Sequence, residues 1–182
     1  MEKNELSKQT RFYRKIHKYI GAPLFIFMFL MGFTGLLLGW KKQTNLLPST
    51  QKGRTENTTQ WMKIDSLSTI AQNFCSDSLN LSADLDRIDI RPSKGIAKFV
   101  FSNHFTELQL DCQSGEILSI SKRKSDIIEK IHDGSLIDHF LGIKYDFFKL
   151  FYTSIISLGL IVLSISGFFL WYNPKRIKGL KK

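Results

Sequence analysis

Cysteine is scarce in this sequence. Two in 182 residues are too few for a disulfide scaffold, and they are too far apart to form a CxxC redox pair. No Walker A, GxGxxG, HExxH or GxSxG segment occurs. That removes the common phosphate-loop, dinucleotide, zinc-peptidase and serine-hydrolase sites. Acidic residues are few as well, 16 Asp+Glu against 26 Lys+Arg, for a formal net charge of +10. As an average, +10 suggests a nucleic-acid binder, but its distribution argues against one. Residues 1–18 carry six Lys/Arg and two Glu, and residues 173–182 carry five Lys/Arg and no acid. Nine of the ten excess charges therefore lie in two short ends, and the rest of the chain is close to neutral.

Formal charge is missing altogether from two long runs, Ile20 to Trp40 and Leu150 to Tyr172. As helices of 21 and 23 residues, each covers at least about 31 Å, the thickness of a bilayer core. Trp40 and Trp171/Tyr172 mark interfacial ends. The first run exceeds the ~7–15 apolar residues of a signal peptide, and no small-x-small site precedes Lys41. It is expected to remain as an anchor. Lys8, Arg11, Arg14, Lys15 and Lys18 precede it, and Lys175, Arg176, Lys178, Lys181 and Lys182 follow the second run. The positive-inside rule then places both termini in the cytoplasm and the middle of the chain in the periplasm of a bacterial inner membrane.

The expected organisation is a cytoplasmic tail (1–18), a first transmembrane helix (19–40) and a linker rich in Thr, Asn, Ser and Gly (41–60). A periplasmic domain (61–122), an amphipathic segment (123–146), a second transmembrane helix (147–172) and a basic tail (173–182) follow. In the domain, Ser66 is a candidate cap for a short helix carrying Leu67, Ile70, Ala71 and Phe74 on one face. Ile88/Ile90, Ala97/Phe99/Phe101 and Thr106/Leu108/Leu110 then alternate with polar residues, and a fourth strand spans Glu116–Ser121. Turns at Pro92–Gly95 and Gln113–Gly115 predict an antiparallel meander with one face buried. The fold class is thus two transmembrane helices plus a small α+β domain. An oxidising compartment permits a Cys75–Cys112 disulfide, closing a loop of about 37 residues for roughly 3–4 kcal/mol. Two buried thiols are the alternative. Lys122 to Phe140 reads as one amphipathic helix, or as two broken near Gly134.

Four histidines remain: His17, His104, His132 and His139. His104 falls in a turn and is expected to be solvated. His17 lies one turn before the first span, with Gly21 four residues on. It either meets headgroups or takes the axial position on a flat macrocycle such as haem. His132 and His139 lie near the opposite boundary, about a bilayer thickness from His17. A bis-histidine iron therefore needs a second copy, as in a parallel dimer forming a four-helix bundle. Gly32, Gly35 and Gly39, with Ser and Gly in the second span, permit close helix packing. Asp133 and Asp138 either orient imidazoles or are solvated.

Several segments resemble the PepSY-associated transmembrane family. They are Arg14 to Gly21 with Thr34-Gly35-Leu36-Leu37-Leu38, Lys130-Ile131-His132-Asp133-Gly134, and Ile165-Ser166-Gly167-Phe168-Phe169-Leu170-Trp171. Asp111 to Glu116 resembles a turn of the PepSY domain. The resemblance covers residues 11–176. It implies a periplasmic PepSY-like domain and haem b, with His17, His132 and His139 as candidate ligands. It further implies electron transfer in periplasmic ferric-siderophore or iron reduction. With no flavin or nicotinamide domain in the sequence, that activity is at most an electron-transfer subunit's. Partners expected on this basis are the lipid bilayer and a second copy of the chain. The alternative is a non-enzymatic anchored module that restrains a periplasmic peptidase or assists a membrane complex.

Overall fold

The computed structural model describes residues 2–180, the side chain of Lys144 apart. Lys181 and Lys182 of the basic tail lie outside the described residues. In chain order the elements are α1 (Glu2–Gly39), α2 (Ile64–Asn73), β1 (Leu85–Arg91), β2 (Ile96–Phe101), β3 (Thr106–Asp111), β4 (Ile117–Lys122), α3 (Lys124–Asp133), α4 (Ser135–Leu141) and α5 (Phe147–Gly179). They form two compact units. The helical unit holds residues up to Leu37 and from Glu129 onward, and the sheet unit is Leu38–Ile128.

In the helical unit, α1 and α5 are long and apolar enough to cross a membrane. A core helix of a soluble protein hides its apolar side chains, but here they face outward. Phe25 and Phe29 are each 68% exposed, and Leu158, Ile161 and Phe168 are exposed on α5. That is the pattern of helices solvated by lipid. The two helices run antiparallel. Tyr13 stacks on Phe169 with ring centroids 4.5 Å apart, and Phe27 meets Tyr152 edge-on at 6.0 Å. Between these contacts Leu24 is buried against Gly159, where an added Cβ would come within 2.1 Å of its Cδ1. Only glycine allows that approach. Helix α1 continues to Glu2, so the basic tail that precedes the span belongs to the same helix.

Gly134 separates α3 from α4 with φ of 80°, a left-handed conformation that glycine adopts without penalty. A Cβ there would also lie 2.8 Å from the Tyr152 ring. Helix α4 then positions Asp138, whose carboxylate accepts from the backbone N–H groups of Phe148 and Lys149 at 3.0 and 2.8 Å. It satisfies two of the free donors at the start of α5.

The sheet unit is a four-stranded antiparallel meander in the order β1-β2-β3-β4. Leu67, Ala71 and Cys75 pack on Ala97, Phe99, Phe101, Leu108, Leu110 and Cys112. Helix α2 begins two residues before the expected Ser66 cap, with Lys63 in the capping position and no side-chain cap bond. Its apolar face decides where it starts, since Ile64 packs against the core. Cys75 and Cys112 are free, buried thiols. Burial, with Asp111 beside it, pushes the Cys112 thiol up to about 11, and burial raises Cys75.

Residues 49–55 of the linker strap across the sheet, and two further expectations about this unit are corrected. The Gln51 N–H donates to Gln109 Oε1 at 2.8 Å, and Gln109 Nε2 donates to the Ser49 carbonyl at 2.9 Å. The Arg54 N–H donates to Asp111 Oδ2 at 2.5 Å. The second sheet face is not solvated at its centre, where every residue of β2 and β3 is buried, while the edge strands β1 and β4 keep exposed residues. Glu107 pairs with Lys98 at 3.3 Å and with Arg123. Arg123 and Arg87 each lie 2.8 Å from Asp126. Alternating polar residues here build a buried ion network in place of a wet surface. His104 is likewise not a solvated turn residue. Its Nδ1 lies 2.8 Å from the Thr106 hydroxyl, its Nε2 lies 3.0 Å from the Ser82 carbonyl, and its ring stacks on Phe101.

Candidate functional site

The sequence pointed to imidazoles near the two ends of the apolar segments, and the helical unit places two of them in matching surroundings. His17, on α1, is half-buried with its Nδ1 2.8 Å from Ser166 Oγ on α5. Its Cε1 lies 3.5 Å from where a Cβ on Gly167 would be. His132, near the end of α3, has its Nδ1 2.8 Å from Thr34 Oγ1 on α1. Its Cε1 lies 3.4 Å from the corresponding position on Gly35. Each ring therefore rests on a hydroxyl–glycine pair of a long helix. The hydroxyl holds one nitrogen, and the missing side chain lets the ring lie close to the helix backbone.

The two sites are well separated. Ser166 and Thr34 serve different rings, and Thr34 is seventeen residues beyond His17 on α1. At the helical rise this is about 26 Å, so one chain cannot bring both imidazoles to one metal ion. Among the described residues no group of three or more His, Cys, Asp or Glu side chains could hold a metal ion. A metal taken up at either ring must bring most of its own ligands, as a porphyrin iron does.

His17 lies on an open groove lined by Lys18, Gly21, Ala22, Phe25, Met28, Phe29 and Leu163. Its walls are apolar apart from the imidazole and the Lys18 ammonium. Those surroundings fit a flat apolar ring that carries acidic groups at one edge.

His139 is placed differently. The left-handed Gly134 ends α3, so His139 belongs to α4 and not to a helix shared with His132. Its ring meets Phe140 edge-on at 5.8 Å. The two carboxylates considered as imidazole partners serve other groups. Asp133 accepts from the Ser135 hydroxyl and N–H at 2.6 and 2.9 Å and pairs with Lys149 at 3.1 Å. Burial alone would raise its pKa, but these bonds hold it below the usual carboxylate range. Asp138 caps α5. Of the glycines expected to pack helices, Gly35 meets His132, while a Cβ at Gly32 or Gly39 would meet nothing within 4 Å.

A family model described as the PepSY-associated TM region matches residues 14–181. The chain belongs to that family. No curated protein and no solved structure matches it. For this PepSY-associated transmembrane protein the match spans α1 from Arg14 onward, all of α5, both hydroxyl–glycine pairs and the whole sheet unit. The paired role of Thr34 and Ser166 was not apparent from the sequence, where Ser166 reads as a small residue for helix packing and Thr34 only as part of a family-like segment. The available signal was the repeat of a hydroxyl–glycine dipeptide, once in each span.

Proposed function

We propose that this protein is an inner-membrane haem b carrier that moves electrons outward across the bilayer, with His17 and His132 as iron ligands. The observation carrying this reading is the matched pair of half-buried imidazoles near opposite ends of two lipid-solvated helices. The open apolar groove beside His17 adds to it. When bound, haem iron supplies a one-electron ferric/ferrous couple. The chain's own groups do the rest. His17 and His132 present nitrogen donors, and Gly21, Phe25 and Met28 offer an apolar wall. Lys18 offers a cation to acidic edge groups.

Under this reading the basic ends face the cytoplasm by the positive-inside rule, and the sheet unit is periplasmic. Electrons enter from a separate cytoplasmic reductant and leave to a periplasmic ferric chelate such as a ferric siderophore. A second copy of the chain would supply a further imidazole at each level, so the reading makes the carrier a homodimer.

The test is an absorption spectrum of the full chain, purified in detergent and titrated with hemin. A Soret band that saturates, and that loses about half its intensity in His17→Ala and again in His132→Ala, is the expected outcome. No Soret band at any hemin concentration sinks the reading. A colourless protein that cross-links to a periplasmic peptidase would establish the anchored binding module instead.

A further inference from the structure

A side-chain hydroxyl has one proton to donate and lone pairs with which to accept. Thr34 Oγ1 lies 2.7 Å from the Leu30 carbonyl, one turn back on α1. A carbonyl oxygen carries no proton, so the hydroxyl donates there. The same oxygen lies 2.8 Å from His132 Nδ1. Its single proton is already engaged, so at this second contact it accepts and Nδ1 donates. Ser166 repeats the arrangement. Its Oγ donates to the Leu163 carbonyl at 3.1 Å and accepts from His17 Nδ1 at 2.8 Å. Thr34 is 4% exposed and Ser166 1%, which leaves little room for water to replace these partners.

A neutral imidazole carries one ring hydrogen. With that hydrogen on Nδ1, Nε2 keeps its lone pair. Among the described residues, the only hydrogen-bond partner of either ring is the hydroxyl on its Nδ1. The opposite tautomer would put the hydrogen on the one nitrogen that is left to bind a ligand.

We propose that Thr34 and Ser166 are positioning residues that hold His132 and His17 in the Nδ1–H tautomer and make Nε2 the ligating atom of each ring. The identity of the metal, a porphyrin iron, rests on the function proposed above; the tautomer does not. Gly35 and Gly167 complete the device, because each ring lies against the helix backbone and its orientation is set together with its proton. A hydrogen bond at the far nitrogen is a general means of tuning a metal-bound imidazole. In this chain a hydroxyl on a membrane helix does it, with no carboxylate involved.

The experiment uses the full chain without haem, carrying ring-¹⁵N histidine, in detergent at pH 8. Two-bond proton–nitrogen correlations distinguish a protonated from an unprotonated ring nitrogen. The expected spectrum shows protonated Nδ1 and bare Nε2 for His17 and His132. Thr34→Val keeps the side-chain shape and removes the hydroxyl, so it releases His132 toward the Nε2–H tautomer and leaves His17 unchanged. Ser166→Ala does the reverse, so each site is the folding control for the other. Thr34→Ser and Ser166→Thr restore the wild-type signals. Hemin affinity at the altered site falls about 10–100-fold and recovers in the conservative variants. A wild-type ring with hydrogen on Nε2, or a Thr34→Val spectrum with His132 unchanged, overturns the proposal. Wild-type rings in the stated tautomer that take up no hemin overturn the haem function and the ligating role of Nε2, while the tautomer assignment stands.

Discussion

The two units bury polar groups in opposite ways. On the two long helices they are hydroxyls joined one to one with half-buried imidazoles, Thr34 with His132 and Ser166 with His17, and the carboxylates Asp133 and Asp138 are kept to the start of α5. Inside the sheet unit they are full charges: Lys98, Glu107, Arg123 and Asp126 joined in a chain, with Arg87 at its end. The difference follows from the surroundings. Lipid offers nothing to a stray charge, and a membrane helix uses its few polar contacts sparingly. A water-facing sheet can close a charge network provided every member has a partner. The lesson is that removing one partner should be costly in the sheet unit and mild in the helical unit.

The largest effect is therefore expected at Glu107. Glu107→Gln leaves Lys98 buried without a counter-charge and Arg123 with Asp126 alone, and should lower the stability of the sheet unit by about 3–5 kcal/mol. Urea unfolding followed by near-ultraviolet circular dichroism reads it. Replacing Lys98, Glu107 and Arg123 together with apolar residues of similar volume should recover most of that loss. If the triple variant remains as unstable as the single one, the network does more than balance charge.

In the helical unit the most damaging single change is expected to be steric. Gly159→Leu forces Leu24 from its seat and should cost about 1–3 kcal/mol by overpacking, seen as a lower unfolding temperature in detergent. Thr34→Val removes two hydrogen bonds, one to the Leu30 carbonyl and one from His132, and should cost only about 1–2 kcal/mol, despite its expected effect on hemin affinity. A loss at Thr34 as large as that at Glu107 would break the contrast between the units.

The smallest effect concerns acid. In Asp111 and Asp126, burial pushes the carboxyl pKa up, but hydrogen bonds more than reverse it: from Ser114, Arg54 and Gln113 for Asp111, and from Arg123 and Arg87 for Asp126. Both folded-state values end below the ordinary one of about 3.9. The stability these groups give is complete above the unfolded value and is lost as pH falls through the folded values. Acid titration should show the sheet unit level down to about pH 5 and weakening below about pH 4, with a shallower decline in Asp111→Asn.

Much of this molecule is legible in its residues. The two uncharged runs became long helices, and the alternation at Ala97, Phe99 and Phe101 became a core strand. Residues 49–55 were not legible, because Ser, Thr and Gly give no side-chain pattern and the strap is held largely through its backbone. Lys98 and Glu107 were misjudged for another reason. An alternating charged residue looks solvated until a second layer covers it. His17 and His132 were visible as candidates. Their hydroxyl partners were not, since His132 and Thr34 are 98 residues apart in sequence and only folding brings them together.

The Leu24–Gly159 contact has a consequence for how the hairpin is set. It acts as a detent. Sliding α1 by one turn, about 5.4 Å, would press Leu24 against Ile155 or Leu163 in place of a glycine. Neither position has room for it, so the two helices have one seat along their shared length. With that seat taken, His17 falls beside Ser166 without any further adjustment. The alignment of the donor nitrogen is machined into the helix pair by a single missing methyl group.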